Sequence, residues 1–146
     1  MMELQSIVSK LPYTEPFLFV DMLEQCTPEA VKGSYTFRKE AYFYKGHFKD
    51  APITPGVILI ECMAQIGLVC MGISILAQSD LPLKVAMSSA EVDFLKPVFP
   101  ETRVMVTSER VYFRFNKLKC KVVMEDDSGE IVAKGEISGM VFNEDS

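Results

Sequence analysis

From Val57 to Ala77 the sequence is apolar almost without interruption, and Glu61 is the one charged residue between Pro55 and Asp80. About 20 such residues in a helix could cross a bilayer, so what covers this segment decides the fold. Glu61 and Gln65 would lie in hydrocarbon, the flanks carry no basic cluster, and the surrounding segments alternate as sheets do, so a membrane span is rejected. Thr54 offers an N-cap hydroxyl and Pro55 suits the first helical position, which predicts a helix from Pro55 to about Gln78. A helix apolar on nearly every side is surrounded by protein rather than covered along one stripe.

The flanks supply that cover. Phe17 to Gln25 and Val31 to Arg38 read as strands before the helix, the second placing Val31, Gly33, Tyr35 and Phe37 opposite Lys32, Ser34, Thr36 and Arg38. Glu40 to Pro55 loses any period and reads as a loop. After Ser79-Asp80-Leu81-Pro82 come Leu83–Val92, Arg103–Phe115, Leu118–Glu125 and Ile131–Phe142, with Asp127-Ser128-Gly129 as a hairpin turn. Strands, one apolar helix and then antiparallel strands define an α+β domain, a curled antiparallel sheet wrapped around one long buried helix. A single curled sheet leaves free edges, so a dimer joined edge to edge is expected.

At 146 residues, with 49% hydrophobic and 24% charged residues, the chain fits one domain over 1–146 with neither repeat nor linker. A net charge of -5 and the lack of a Lys/Arg stripe argue against nucleic acid. The four cysteines, Cys26, Cys62, Cys70 and Cys120, are irregularly spaced beside a single histidine, which suits free thiols in a reducing cytoplasm better than a metal site. Met1 to Lys10 lacks the pattern of a signal peptide, so a cytoplasmic location is expected.

Three residues stand out chemically. His47, the only histidine, lies beside Gly46 among aromatics and can serve as a base near neutral pH. Glu61 sits in apolar surroundings that favour its neutral form, from which it can donate a proton; the alternative is a carboxylate bonded for structure, and Gln65, one turn on, is either that partner or the group that orients it. Gly56 falls at the helix start, where N–H groups lack intrahelical acceptors and the dipole is positive, a site for an oxyanion. A base, an acid and an oxyanion donor match removal of an α-proton and a β-hydroxyl beside a carbonyl. Such chemistry needs neither metal nor organic cofactor.

Phe43-Tyr44-Lys45-Gly46-His47-Phe48, then Pro55-Gly56-Val57-Ile58-Leu59-Ile60-Glu61-Cys62-Met63-Ala64-Gln65, resembles the hot-dog-fold 3-hydroxyacyl-[acyl-carrier-protein] dehydratases of the FabZ type. The resemblance extends to Leu11-Pro12, Pro16-Phe17-Leu18-Phe19-Val20-Asp21 and Val92-Asp93-Phe94-Leu95-Lys96-Pro97-Val98-Phe99-Pro100, nearly the whole chain. It implies that His47 takes the C2 proton, Glu61 helps the hydroxyl leave as water, and the Gly56 N–H holds the thioester oxygen. Phe48, Val57 and Gln65 complete the expected substrate-binding set. In that family the histidine of one subunit faces the acid of the other, which implies a homodimer, alone or as a trimer of dimers.

Glutamate at 61, where the related dehydratase-isomerases carry aspartate, favours dehydration without double-bond migration. Tyr13-Thr14 stand for a usual His-Arg, Lys49 for proline, Cys62 for alanine and Glu101 for glycine. These departures leave fatty-acid synthesis and an aryl-polyene, pigment or polyketide pathway both open. Lys45, Lys49, Lys96 and Arg103 are candidate contacts for the acidic acyl carrier protein, against the plainer reading of a solvated face. Two rival functions remain, a hot-dog acyl-thioesterase that borrows Glu61 and a non-catalytic acyl-binding subunit of a dehydratase heterodimer.

Overall fold

The computed structural model describes residues 3–77 and 83–143. A short helix α1, Leu4–Ser9, precedes strands β1, Met22–Cys26, and β2, Ala30–Thr36. A single turn of 3-10 helix, Tyr42–Lys45, lies in the loop before the central helix, Gly56–Ile75. Then follow β3, Leu83–Phe94, β4, Arg103–Arg114, β5, Lys117–Glu125, and β6, Ile131–Asn143. They form one six-stranded antiparallel sheet in the order β1-β2-β4-β5-β6-β3. This is the α+β hot-dog fold expected from the sequence.

Alternation decides which face meets the helix. Val104, Val106 and Ser108 on β4 and Leu118, Cys120, Val122 and Met124 on β5 are buried, while their neighbours are wholly or partly solvated. Val31 and Tyr35 on β2 and Phe37 just beyond it are buried as the alternation predicts, but Ser34 is buried as well, its hydroxyl accepting from Arg103 at 3.4 Å. Register shifts at Leu23/Gln25, Met87/Ser89, Arg110/Tyr112 and Met124/Glu125 mark bulges, the devices that let a sheet curl.

The helix is apolar enough to span a membrane, with a mean hydropathy of 2.0, yet 78% of that window is buried inside the fold. Its middle, Gln65–Val69, is a π turn between two α-helical segments, Gly56–Ala64 and Cys70–Ile75. Gly67 lies against β4 so closely that a Cβ there would sit 3.0 Å from the Ser108 Cβ, and the Ser108 hydroxyl donates to the Gly67 carbonyl at 3.0 Å. A wider turn leaves carbonyls less well paired along the helix, and a strand side chain bonds one of them here.

Several expectations are corrected. Pro55 is the N-cap and Gly56 the first helical residue; the Thr54 hydroxyl makes no cap bond but pairs with the Tyr44 hydroxyl at 2.5 Å in the core. The first strand begins at Met22 rather than Phe17, because the backbone of 17–19 is bonded to a side chain of the central helix instead of a strand. The helix ends at Ile75, and Gln78 to Pro82 lie outside the described residues. The helix α1 had no counterpart in the sequence reading.

One edge of the sheet is open. Among the described residues β3 pairs only with β6, and along its 12 residues most side chains are exposed, Met87 and Phe94 among them.

Candidate active site

His47 follows the 3-10 turn, with its N–H bonded to the Phe43 carbonyl and its carbonyl to the Ile53 N–H. Its Nδ1 lies 2.9 Å from the Ile53 carbonyl. A carbonyl can only accept, so Nδ1 carries the hydrogen and Nε2 is left with the lone pair of a base. Phe48 stacks on the imidazole with centroids 4.1 Å apart, which limits its rotation.

A cleft of about 390 Å³ is lined by His47, Ile53, Thr54, Gly56, Leu59 and the stretch from Phe94 to Val98. It joins the base to the helix N-terminus. Ile58 and Leu59 are the first residues to donate into the helix start, both to the Pro55 carbonyl, so the N–H groups of Gly56 and Val57 precede the first of these bonds. The absence of a Thr54 cap keeps that end open for an oxyanion. A Cβ at position 56 would lie 3.0 Å from Phe94 Cζ, so the missing side chain admits the Phe94 ring.

Glu61 and Gln65 do not line this cleft. Gln65 is fully buried and binds three partners: its Oε1 accepts from the Phe19 N–H at 2.8 Å, and its Nε2 donates to the Phe17 carbonyl and to Glu61 Oε2, both at 3.0 Å. The Phe19 donor and Phe17 acceptor fix which end of the amide is which. The bond between Gln65 and Glu61 joins the pair that their spacing singled out and fits either role weighed for Gln65, structural partner or orienting group. Glu61 is half-buried, with Tyr13 near enough to sense its charge. Val57 is 73% exposed, turned away from the cleft, and Phe48 reaches the site only through its stack on His47.

The candidate carrier contacts differ among themselves. Lys45 and Lys49 are exposed on either side of His47, and Arg103 is exposed at the start of β4. Lys96 lines the cleft, but its ammonium is engaged by Asp126 Oδ2 at 2.8 Å and Glu130 Oε2 at 3.2 Å. It fastens the end of β3 to the β5–β6 turn. The hydrogen bond from Lys96, then that from the Ser128 hydroxyl, holds the Asp126 carboxyl well below the usual carboxylate range. Sequence reasoning gave no part to Phe94 at the helix start or to Tyr13 near Glu61; Tyr13 was noted only as a departure from the dehydratase pattern.

The FabA-like domain family model matches residues 11–138. Among curated proteins, the chain is 32% identical over 140 residues to a 3-hydroxyacyl-[acyl-carrier-protein] dehydratase FabZ of Ehrlichia chaffeensis, covering 94% of this chain and 93% of that protein. It is 36% identical over 121 residues to the protein of the same name from Psychrobacter arcticus, covering 80% and 83%. Among solved structures, a mutant thioesterase from Pseudomonas aeruginosa superposes with a TM-score of 0.72 at 10% identity, over 99% of this chain and 96% of that one. A hypothetical thioesterase with coenzyme A from Streptococcus pneumoniae gives 0.64 at 15% identity, over 85% and 87%. The structural likenesses establish the hot-dog fold, and with the match over 11–138 and the FabZ relatives the chain belongs to the FabA-like family.

Proposed function

We propose that this protein dehydrates a 3-hydroxyacyl thioester carried on acyl carrier protein to the trans-2-enoyl thioester, in fatty-acid biosynthesis. The observation that carries the reading is His47, anchored through Nδ1 with Nε2 free, in one cleft with an uncapped helix N-terminus at Gly56. His47 Nε2 removes the C2 proton. Charge then develops on the thioester oxygen, where the Gly56 N–H donates to it. The C3–O bond breaks, the C2=C3 double bond forms, and the oxygen leaves as water with the proton of Glu61. Exchange with solvent returns the imidazolium and the carboxylate to their starting states.

Within one protomer the base and the oxyanion donor share a cleft and the acid lies outside it. This division supports a site completed by the Glu61 of a second copy, paired along the open edge of β3, in a homodimer alone or in a trimer of dimers. Four free buried thiols suit a reducing cytoplasm.

The test is conversion of a 3-hydroxyacyl thioester on carrier protein by the purified chain, with His47→Ala as control. Enoyl product that is lost in the variant is the expected result. Release of free acid and thiol would instead make the protein a thioesterase, and no product across short and long acyl chains would make it a non-catalytic subunit.

A further inference from the structure

The loop that bears His47 has little packing of its own. Between Tyr44 and Thr54, His47 and Ile53 are half-buried, while Lys45, Gly46 and the stretch from Phe48 to Pro52 are exposed. Tyr44 and Thr54 are buried, and their hydroxyls bond to each other at 2.5 Å across ten positions of chain. That bond closes the loop at its base. A segment with so few buried apolar contacts keeps its shape through hydrogen bonds.

One peptide group links this base of the loop to the histidine. The Ile53 carbonyl and the Thr54 N–H belong to the same planar unit, so turning one turns the other. The N–H donates to the Val98 carbonyl at 2.8 Å, and the carbonyl accepts from His47 Nδ1 at 2.9 Å. The Ile53 N–H also donates to the His47 carbonyl at 2.9 Å, which pairs the two residues twice. Thr54 therefore carries both the amide that orients this unit and the hydroxyl that Tyr44 holds. Its hydroxyl is committed to the loop rather than to the helix it precedes.

We propose that Tyr44 is a positioning residue for the base: its hydroxyl, through Thr54, holds the 53–54 peptide at the angle from which the Ile53 carbonyl keeps the hydrogen on His47 Nδ1 and leaves Nε2 free. Without that bond the Thr54 hydroxyl loses its buried partner and the peptide can turn, so the imidazole is no longer committed to one tautomer. The cost falls on proton transfer, where the orientation of the base counts, rather than on substrate binding. The inference rests on the reading of His47 as the base, but the state of the imidazole can be observed without substrate.

The chain has one histidine, so imidazole 15N resonances report on His47 alone. At a pH well above the usual histidine range, the wild type is expected to show Nδ1 protonated and Nε2 bare. Tyr44→Phe removes the oxygen and keeps the ring that packs on Phe43. It is expected to show the two tautomers averaged and to lower kcat about tenfold, the scale of one hydrogen bond, with KM unchanged. Thr54→Val should do the same, and the double variant no more than either alone, since both break one bond. Thr54→Ser, which keeps the hydroxyl, is expected to keep the wild-type tautomer. A single Nδ1–H tautomer in Tyr44→Phe, wild-type kcat in that variant, or losses that multiply in the double variant would each overturn the role. If the wild type forms no enoyl product the functional reading fails, and the spectra alone still show whether Tyr44 holds the imidazole.

Discussion

Gln65 donates to Glu61 across one turn of a buried helix at 3.0 Å, and with the other end of the same amide it accepts the backbone N–H of Phe19. The acid and the chain segment beside it are therefore set by one side chain. Gln65→Leu leaves the Phe19 N–H and the Phe17 carbonyl without their partner, at about 1–3 kcal/mol each. It should lower both the unfolding midpoint and kcat. Gln65→Glu keeps an acceptor for Phe19 but loses the donor to the Phe17 carbonyl and buries a second carboxyl against Glu61, and should lower stability as well as kcat. Paired denaturant melts and turnover measurements separate the two effects.

His47→Ala and Glu61→Gln should each reduce dehydration by about 100-fold or more, the usual scale for a lost acid or base. If sites are shared between copies, mixing the two variants under conditions of subunit exchange restores part of the activity. Absence of rescue despite exchange proven by native mass spectrometry would place each site within one chain.

The thiols should be silent in the folded protein. Burial pushes Cys26 up to about 12 and Cys120 up to about 11, and raises Cys62 and Cys70 further, so thiolate is scarce at neutral pH. A thiol reagent should react with all four only as fast as the chain unfolds. Prompt reaction of any one in native buffer would contradict the packing.

Glu101 has a φ of 72°, in the left-handed region that favours glycine. The left-handed region costs a side-chain-bearing residue about 1–2 kcal/mol, and glycine relieves that at a smaller cost in unfolded-state entropy. Glu101→Gly should raise stability by up to about 1 kcal/mol in urea melts, with kcat unchanged.

Asp126 ties stability to acid pH. Its carboxyl is depressed in the folded protein, so the contribution is present above the unfolded value near 4 and is lost as pH falls through the folded one. Asp126→Asn should therefore be less stable than wild type at pH 7, and the gap should narrow as pH drops below about 4. A gap that is constant with pH would assign the effect to packing.

The central helix and the hairpins were legible because each leaves a local signature: a long apolar run, period-two alternation, a Gly129 at φ 85° in the β5–β6 turn. Phe17-Leu18-Phe19-Val20 misled because apolar content implies burial but not the partner of the backbone. That partner is Gln65, far away in sequence. The helix α1 was missed because six residues are too few for helical periodicity to stand out. The π turn leaves no mark in a segment apolar on every side, since rotating its register exposes nothing polar. The sharing of the cleft by His47 and Gly56 but not Glu61 is a matter of three-dimensional placement that spacing along the chain does not encode.

The ring of Phe94 against Gly56 joins the outermost strand to the first turn of the helix that bears the acid. Substitutions at these two positions are not independent. A methyl at 56 requires the ring at 94 to shift by a few tenths of an ångström or to shrink, so homologous chains should tend to exchange bulk between the two. A partner docked along the outer strand would meet the ring that packs on the amide assigned to the thioester oxygen. If copies pair along this strand, assembly and turnover share a mechanical link one side chain long.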